Sequence, residues 1–431
     1  MPAPRPPAVA LRPADLRGWA RLGIDAVVGV TDLVESMHAT IARLAPPIGG
    51  SGPGRARGLT GLVYRAVRGT TRLVGGGLDV ALAALVREVA PRAGSSRREA
   101  VVAAVNGIAG DHLEASGNPL AIEMRLRVDG VPIDASAGPP PGLGDGRRLL
   151  VMVHGLCMND LQWVRAGHDH GAALAREAGW TPLRLHYNTG RSVAANGREL
   201  SALLDGLLAR WPVPVEAIAI VGHSMGGLVA RAACDAAAAA GHRWPDRLSA
   251  LVFLGTPHHG APLERGGHLL ERVLGLSPYV APFARLGGVR SAGIVDLRHG
   301  AVRDDARDTA RGARIVPVPL PAGIPAYAVA ATRSPPDASG RLAGDGLVPV
   351  ASALGDHHDP RRALGIPEHH RRVIRSAGHW DLLDRPEVTA QLLRWLAPAP
   401  RVVTRPGSAA ARSRRARRPA TRGGPRRREA S

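Results

Sequence analysis

Ser224 stands in Gly222-His223-Ser224-Met225-Gly226, directly after the apolar run Ala217 to Val221. A serine presented on a sharp turn between a strand and a helix needs small residues two positions to either side, because a side chain there collides with the tight backbone. Gly222 and Gly226 supply that room. A serine hydroxyl is a weak nucleophile at neutral pH, so it needs a base within hydrogen-bond reach, and the base needs an orienting acid. His379, in Ser376-Ala377-Gly378-His379-Trp380, is the leading base, and Asp345, in Gly344-Asp345-Gly346-Leu347-Val348-Pro349, is the leading acid. Asp356, Asp359 and Asp381 compete with Asp345 for that role.

The same chemistry needs donors for the negative charge that develops on a carbonyl oxygen. The backbone N–H of Met225, just after the serine, is one candidate. The other is the N–H of Leu156 in His154-Gly155-Leu156, where the glycine lets the chain turn after an apolar run. Further side chains resemble metal ligands, among them His168 with His170, His258-His259, His357-His358 and His369-His370. None has the spacing of a metal motif, so no metal is expected, and loop or surface hydrogen bonding is the simpler reading. Cys157 lies beside the proposed oxyanion loop but has no elbow of its own, and reads as a small buried residue.

These residues must be held by elements with one repeated plan. Leu149 to Val153, Leu183 to Tyr187, Ala217 to Val221 and Leu251 to Leu254 are short apolar runs separated by helical patterns such as Gly171 to Ala178 and Arg198 to Trp211. Strands alternating with helices predict an α/β domain with a mostly parallel central sheet and helices on both faces, over residues 116–397. The alternation Ile122, Met124, Leu126, Val128 predicts a half-buried strand in an antiparallel edge pair. Ala326 to Ala331 and Arg372 to Ser376 are further strands, and Glu387 to Leu396 a closing helix. Residues 260–325 form an insertion, read as a cap or lid or as additional surface helices without gating.

Residues 1–115 read as a helical region. Leu16 to Leu44 and Leu59 to Val89 carry apolar residues at helical spacing, and Arg97 to Leu113 is a third helix. Arg65, Arg68 and Arg72 beside the apolar face of the second helix fit peripheral contact with a lipid surface, though a helical layer packed on the main domain is the simpler expectation. The net charge is +20, carried by arginine with no lysine, and residues 401–431 hold eleven Arg against one Glu. Residues 398–431 therefore read as a disordered tail able to contact anionic surfaces, and the remainder is only moderately basic. Two cysteines make no disulfide framework. The N-terminus lacks an apolar core before Asp15 and Arg17, and no stretch has the ~18 apolar residues of a membrane span. A cytoplasmic or peripheral-membrane protein is the expectation.

With these motifs placed, the chain resembles the α/β-hydrolase superfamily, and within it bacterial lipase- and esterase-like proteins related to the GPI inositol-deacylase-like group. His154-Gly155-Leu156-Cys157-Met158-Asn159-Asp160-Leu161-Gln162-Trp163, Tyr187-Asn188-Thr189-Gly190, Gly222 to Gly227, Gly255-Thr256-Pro257-His258-His259-Gly260 and Gly344 to Pro349 carry the resemblance, over roughly residues 100–397. It implies a Ser224–Asp345–His379 triad, Leu156 and Met225 as oxyanion donors, and hydrolysis of acyl or lipid esters without a cofactor. An acyltransferase or thioesterase would use the same residues. A catalytically inactive membrane- or nucleic-acid-binding protein on this fold is the reading from another class. Trp380 departs from the aliphatic residue that relatives more often carry after the histidine.

Overall fold

The computed structural model describes residues 12–44, 63–73, 76, 79, 96–138, 145–261, 291–304, 317–338 and 342–397. The apolar runs become strands β1 (Arg125–Val128), β2 (Val131–Pro132), β3 (Arg148–Val153), β4 (Thr181–His186), β5 (Ala217–His223), β6 (Leu248–Leu254), β7 (Ala326–Ala331) and β8 (Arg371–Ile374). They form one sheet in the order β2-β1-β4-β3-β5-β6-β7-β8. β1 runs antiparallel to both β2 and β4, and the pairs from β4 through β8 are parallel. The expected antiparallel pair is therefore present, but β1 lies one position in from the edge, which β2 occupies.

Side-chain alternation explains why these runs are apolar throughout. Leu149, Val151 and Val153 of β3 enter one core layer while Leu150 and Met152 enter the other, all fully buried. A strand covered on both faces has no polar side, unlike the half-exposed β1. The helices are α1 (Pro13–Leu44), α2 (Ser96–Ala115), α3 (His170–Ala178), α4 (Val193–Arg210), α5 (Met225–Ala240), α6 (Ala292–His299) and α7 (Pro386–Leu396); α1 and α2 pack in a cluster of their own, and the others supply the layers on the sheet. Leu200, Leu204 and Leu207 of α4 and Leu228 and Val229 of α5 fill the first layer. Leu174 of α3 and Val388, Leu392 and Leu396 of α7 fill the second. Gly197 lets α4 approach α5, since a Cβ there would sit 2.4 Å from Ala232 Cβ. Asp169 and Ser192 cap the N-termini of α3 and α4 through Ala172 N and Ala195 N.

The N-terminal helices are anchored by charge as well as by packing. Arg98 of α2 binds Asp15 of α1 and donates to Glu99 at 2.7 Å. Glu99 in turn meets Arg127 of β1 at 3.3 Å, and Arg127 donates over the same distance to Asp160, whose Oδ1 lies 2.9 Å from His186 Nδ1. Asp160 is fully buried at the end of the loop after β3, so this chain of charges runs from α1 to the loop bearing Leu156. Arg68 is turned inward rather than toward a lipid surface: it is 6% exposed and bonds to Glu35 and Asp32. Its two carboxylate partners outcompete solvent for the guanidinium; Arg65 and Arg72 are exposed. No helix among the described residues is long and apolar enough to cross a membrane. The insertion's apolar group Leu269 to Phe283 and the tail from residue 398 lie outside the described residues.

Removing one partner from a buried ionic network leaves the others uncompensated, at a loss of about 3 kcal/mol or more. Asp160→Asn keeps the side-chain shape but strips the charge facing Arg127 and His186. Denaturant unfolding is expected to show that loss of stability; a midpoint equal to that of the unaltered chain would contradict the network's structural role.

Candidate active site

Ser224 occupies the single residue between β5 and α5, with φ 53° and ψ −123°. This is backbone that a residue with a Cβ adopts only when its surroundings enforce it, at a cost of about 1–3 kcal/mol. The enforcement is visible. Ser224 N donates to Leu254 O at 2.8 Å at the end of β6, and Gly227 N closes the turn onto Ser224 O at 3.1 Å. A Cβ on Gly226 would lie 2.0 Å from Val153 O, and one on Gly222 would lie 2.5 Å from Gly227 N. Both glycines of the motif are thus required by backbone approach on opposite sides of the serine.

His379 opens a short 3-10 helix after β8 and is 3% exposed. Its Nδ1 is 2.7 Å from Asp345 Oδ2. The other carboxylate oxygen accepts from Leu347 N at 2.8 Å and Val348 N at 2.7 Å, so Asp345 is clamped by its own loop. A carboxylate only accepts, so the His379 proton sits on Nδ1 and Nε2 carries the free lone pair. The competing carboxylates are engaged elsewhere: Asp356 with Arg371, Asp359 with Arg361, and Asp381 with the Gly378 amide. Ser224 and His379 line one cleft, with no hydrogen bond between them among the described residues. Such bonds commonly tighten only when substrate binds.

The loop after β3 reaches the serine from the other side. A Cβ on Gly155 would stand 3.1 Å from Ser224 Cβ, and Leu156 lines the same cleft as Ser224. Met225 N is the first helical amide of α5, where backbone N–H groups have no partner within the helix. Three groups hold the loop. Tyr187 OH donates to His154 O at 2.7 Å, Thr189 Oγ1 accepts from Cys157 N at 3.1 Å, and Cys157 itself takes φ 60°. The sequence assigns Tyr187 and Thr189 no chemical role; the signal for them is that Tyr187-Asn188-Thr189-Gly190, a polar cluster directly after an apolar run, is one of the stretches that carries the family resemblance. The Cys157 residue is half-buried, and enclosure of its thiol pushes that group up to about 12, leaving it a neutral packing group.

Apolar side chains form the rest of the cleft, among them Met158, Leu297, Leu347, Val348 and Trp380. Its free volume is about 20 Å³, one water site. Trp380 meets the His379 ring edge-on at 5.9 Å and the His223 ring at 5.7 Å. His168 and His170 converge on Thr389 Oγ1, at 2.7 and 2.8 Å, and serve as hydrogen-bonding groups between α3 and α7.

Residues 190–305 match the family model of the PGAP1-like alpha/beta domain. The sheet order and the serine elbow agree with that match. The chain has the α/β-hydrolase fold. The search of curated proteins returned no match. Among solved structures, the chain is similar to the mature form of lipase BlEst2 from Bacillus licheniformis, at 17% identity and a TM-score of 0.40, over 61% of this chain and 97% of that one. It is also similar to lipase B from Aspergillus fumigatus (14% identity, TM-score 0.35, 58% of this chain and 54% of that one). A lipase-esterase related protein from Clostridium acetobutylicum aligns at 10% identity and a TM-score of 0.34, over 64% of this chain and 99% of that one. At such scores these likenesses carry no argument about activity.

Burial sets the charge state around the cleft. It pushes His154 and His170 down to about 4 and His223 well below its ordinary value, so all three are neutral at pH 7. The unfolded chain binds protons at these positions near pH 6.5 while the folded chain does not, so their contribution to stability is complete above that pH and lost as pH falls toward 4. Thermal unfolding is expected to show a falling midpoint between pH 6.5 and 4, reduced in slope by His170→Asn. A midpoint that rises with acidification over this range would contradict the neutral burial of these rings.

Proposed function

We propose that the chain is a serine hydrolase that cleaves carboxylic esters through an acyl-enzyme. Ser224 is the nucleophile, His379 the general base and acid, Asp345 the orienting carboxylate, and the Leu156 and Met225 amides the oxyanion donors. The observation that carries this reading is the strained Ser224 backbone on the same cleft as a buried His379–Asp345 pair held at 2.7 Å. Backbone strain retained at a turn that presents a hydroxyl is what a nucleophile requires and what a packing serine does not.

In the first step His379 Nε2 takes the hydroxyl proton as Ser224 Oγ bonds to the ester carbonyl carbon. The carbonyl electron pair moves onto its oxygen, toward the two backbone donors. Collapse of this intermediate breaks the bond to the alcohol oxygen, which leaves with the proton from His379. A water then repeats the sequence: His379 takes its proton, the hydroxide oxygen bonds to the acyl carbon, and the carboxylic acid leaves as Ser224 regains its hydrogen. Asp345 stabilises the imidazolium in both halves without taking the proton. The apolar cleft walls support an acyl or lipid ester in preference to a charged substrate.

Ser224→Ala is expected to reduce turnover of short p-nitrophenyl esters by about 10⁴-fold or more, with the melting temperature held or raised as the strained serine loses its function. Turnover within a factor of a few of the unaltered chain, in a folded variant, would remove Ser224 from the mechanism.

A further inference from the structure

The turn after β6 serves two cavities. Pro257 lines the catalytic cleft, whereas His258 and His259 line a separate cavity of about 280 Å³. Arg231 of α5, Arg361 and Arg362 from the loop before β8, and Val318 complete the polar part of its described wall; of the three guanidinium groups, Arg361 is paired with Asp359 at 3.1 Å, and Arg231 and Arg362 make no ion pair among the described residues.

Arg231 is the unusual member. It is only 5% exposed, its Nη2 donates to Val318 O at 2.5 Å, its Nη1 meets His258 Nδ1 at 3.4 Å, and its Nε has no partner. The nearby carboxylate Asp235 is held by Arg303 at 2.7 Å, and among the described residues no ion pair reaches Arg231. Burial lowers its pKa to about 10, which still leaves a cation at neutral pH. A buried cation without a counter-charge costs several kcal/mol.

The tautomer of His258 follows from this contact. A guanidinium only donates, so His258 Nδ1 must accept and the proton must sit on Nε2, which also lacks a partner. Burial holds this ring neutral, so it supplies a donor without adding charge. Arg362 adds a half-buried guanidinium that makes no ion pair among the described residues. The cavity volume equals several waters at ~30 Å³ each, or one tetrahedral oxyanion with waters. Water satisfies donors but leaves the charge unbalanced. An anion does both.

We propose that this cavity binds a phosphate group, with Arg231 as its buried counter-charge, His258 Nε2–H as a neutral donor, and Arg362 facing the outer oxygens. Two guanidiniums and a neutral donor around one centre match an oxyanion whose oxygens point in several directions and whose charge exceeds one. The group is either free phosphate or the phosphate of a polar headgroup. Both share the chemistry that the wall recognises.

The full chain is titrated calorimetrically with inorganic phosphate and, separately, with glycerol 3-phosphate, at constant ionic strength set with chloride. Saturable binding of either is expected, weakened about tenfold or more in Arg231→Met and in Arg362→Gln, since each removes a charge-assisted contact. Equal affinity for both ligands identifies free phosphate as sufficient; binding of glycerol 3-phosphate alone identifies a headgroup site. Arg362→Gln alters a half-buried loop residue that makes no ion pair among the described residues, and keeps the test decisive if Arg231→Met does not fold. No saturable binding, or binding indifferent to both substitutions, overturns the proposal. Because the readout is binding, Ser224→Ala is expected to leave it intact, which separates this outcome from any failure of the esterase mechanism.

Discussion

Everything around the site depends on one constraint: the backbone of Ser224 must hold a conformation that it would leave if free. The Leu254 carbonyl takes its amide, and Gly226 lies against the Val153 carbonyl, so the ends of β3 and β6 grip the turn from two sides. Those strand ends are fixed by their parallel pairing with β5, which places the serine at the centre of the sheet. The strain is tolerated because the neighbours that impose it are themselves buried and hydrogen-bonded. Weakening the sheet would relax the turn before it altered any reacting group.

The second dependence is on burial that keeps charge sparse. His154 and His223 are neutral beside the site, and Asp345 is the carboxylate that faces His379. In surroundings with few competing charges, the clamped carboxylate acts on the His379 ring with little screening, as the proposed mechanism requires of it. The loop bearing Leu156 is positioned by Tyr187 and Thr189, and its far end carries Asp160, which ties it through Arg127 and Glu99 to α2. The N-terminal helices α1 and α2 thus contribute to the position of that loop although neither lines the cleft.

Much of this was legible in the sequence because the relevant constraints are local. The elbow needs its glycines at fixed offsets, and strands buried on both faces must be apolar along their length, so β3, β5, β6 and β7 appeared with small errors at their ends. The choice of Asp345 over Asp356, Asp359 and Asp381 also rested on local placement, after a strand and before His379. What was illegible depends on distant partners. Arg68 reads as a surface residue until Glu35 and Asp32 close on it, and Asp160 reads as part of a loop until Arg127 and His186 face it. Arg231 carries no sequence signal that would separate it from a solvated helix arginine; only the packing of Val318 and His258 against it makes its isolation apparent.

The central claim is that the strained serine is the group that accepts the acyl moiety. Labelling the intact protein with a fluorophosphonate, followed by digestion and tandem mass spectrometry, tests it directly. A single adduct on the peptide containing Ser224, lost after unfolding the protein beforehand, is the predicted result. An adduct on another serine, or none on the folded chain, would contradict the account.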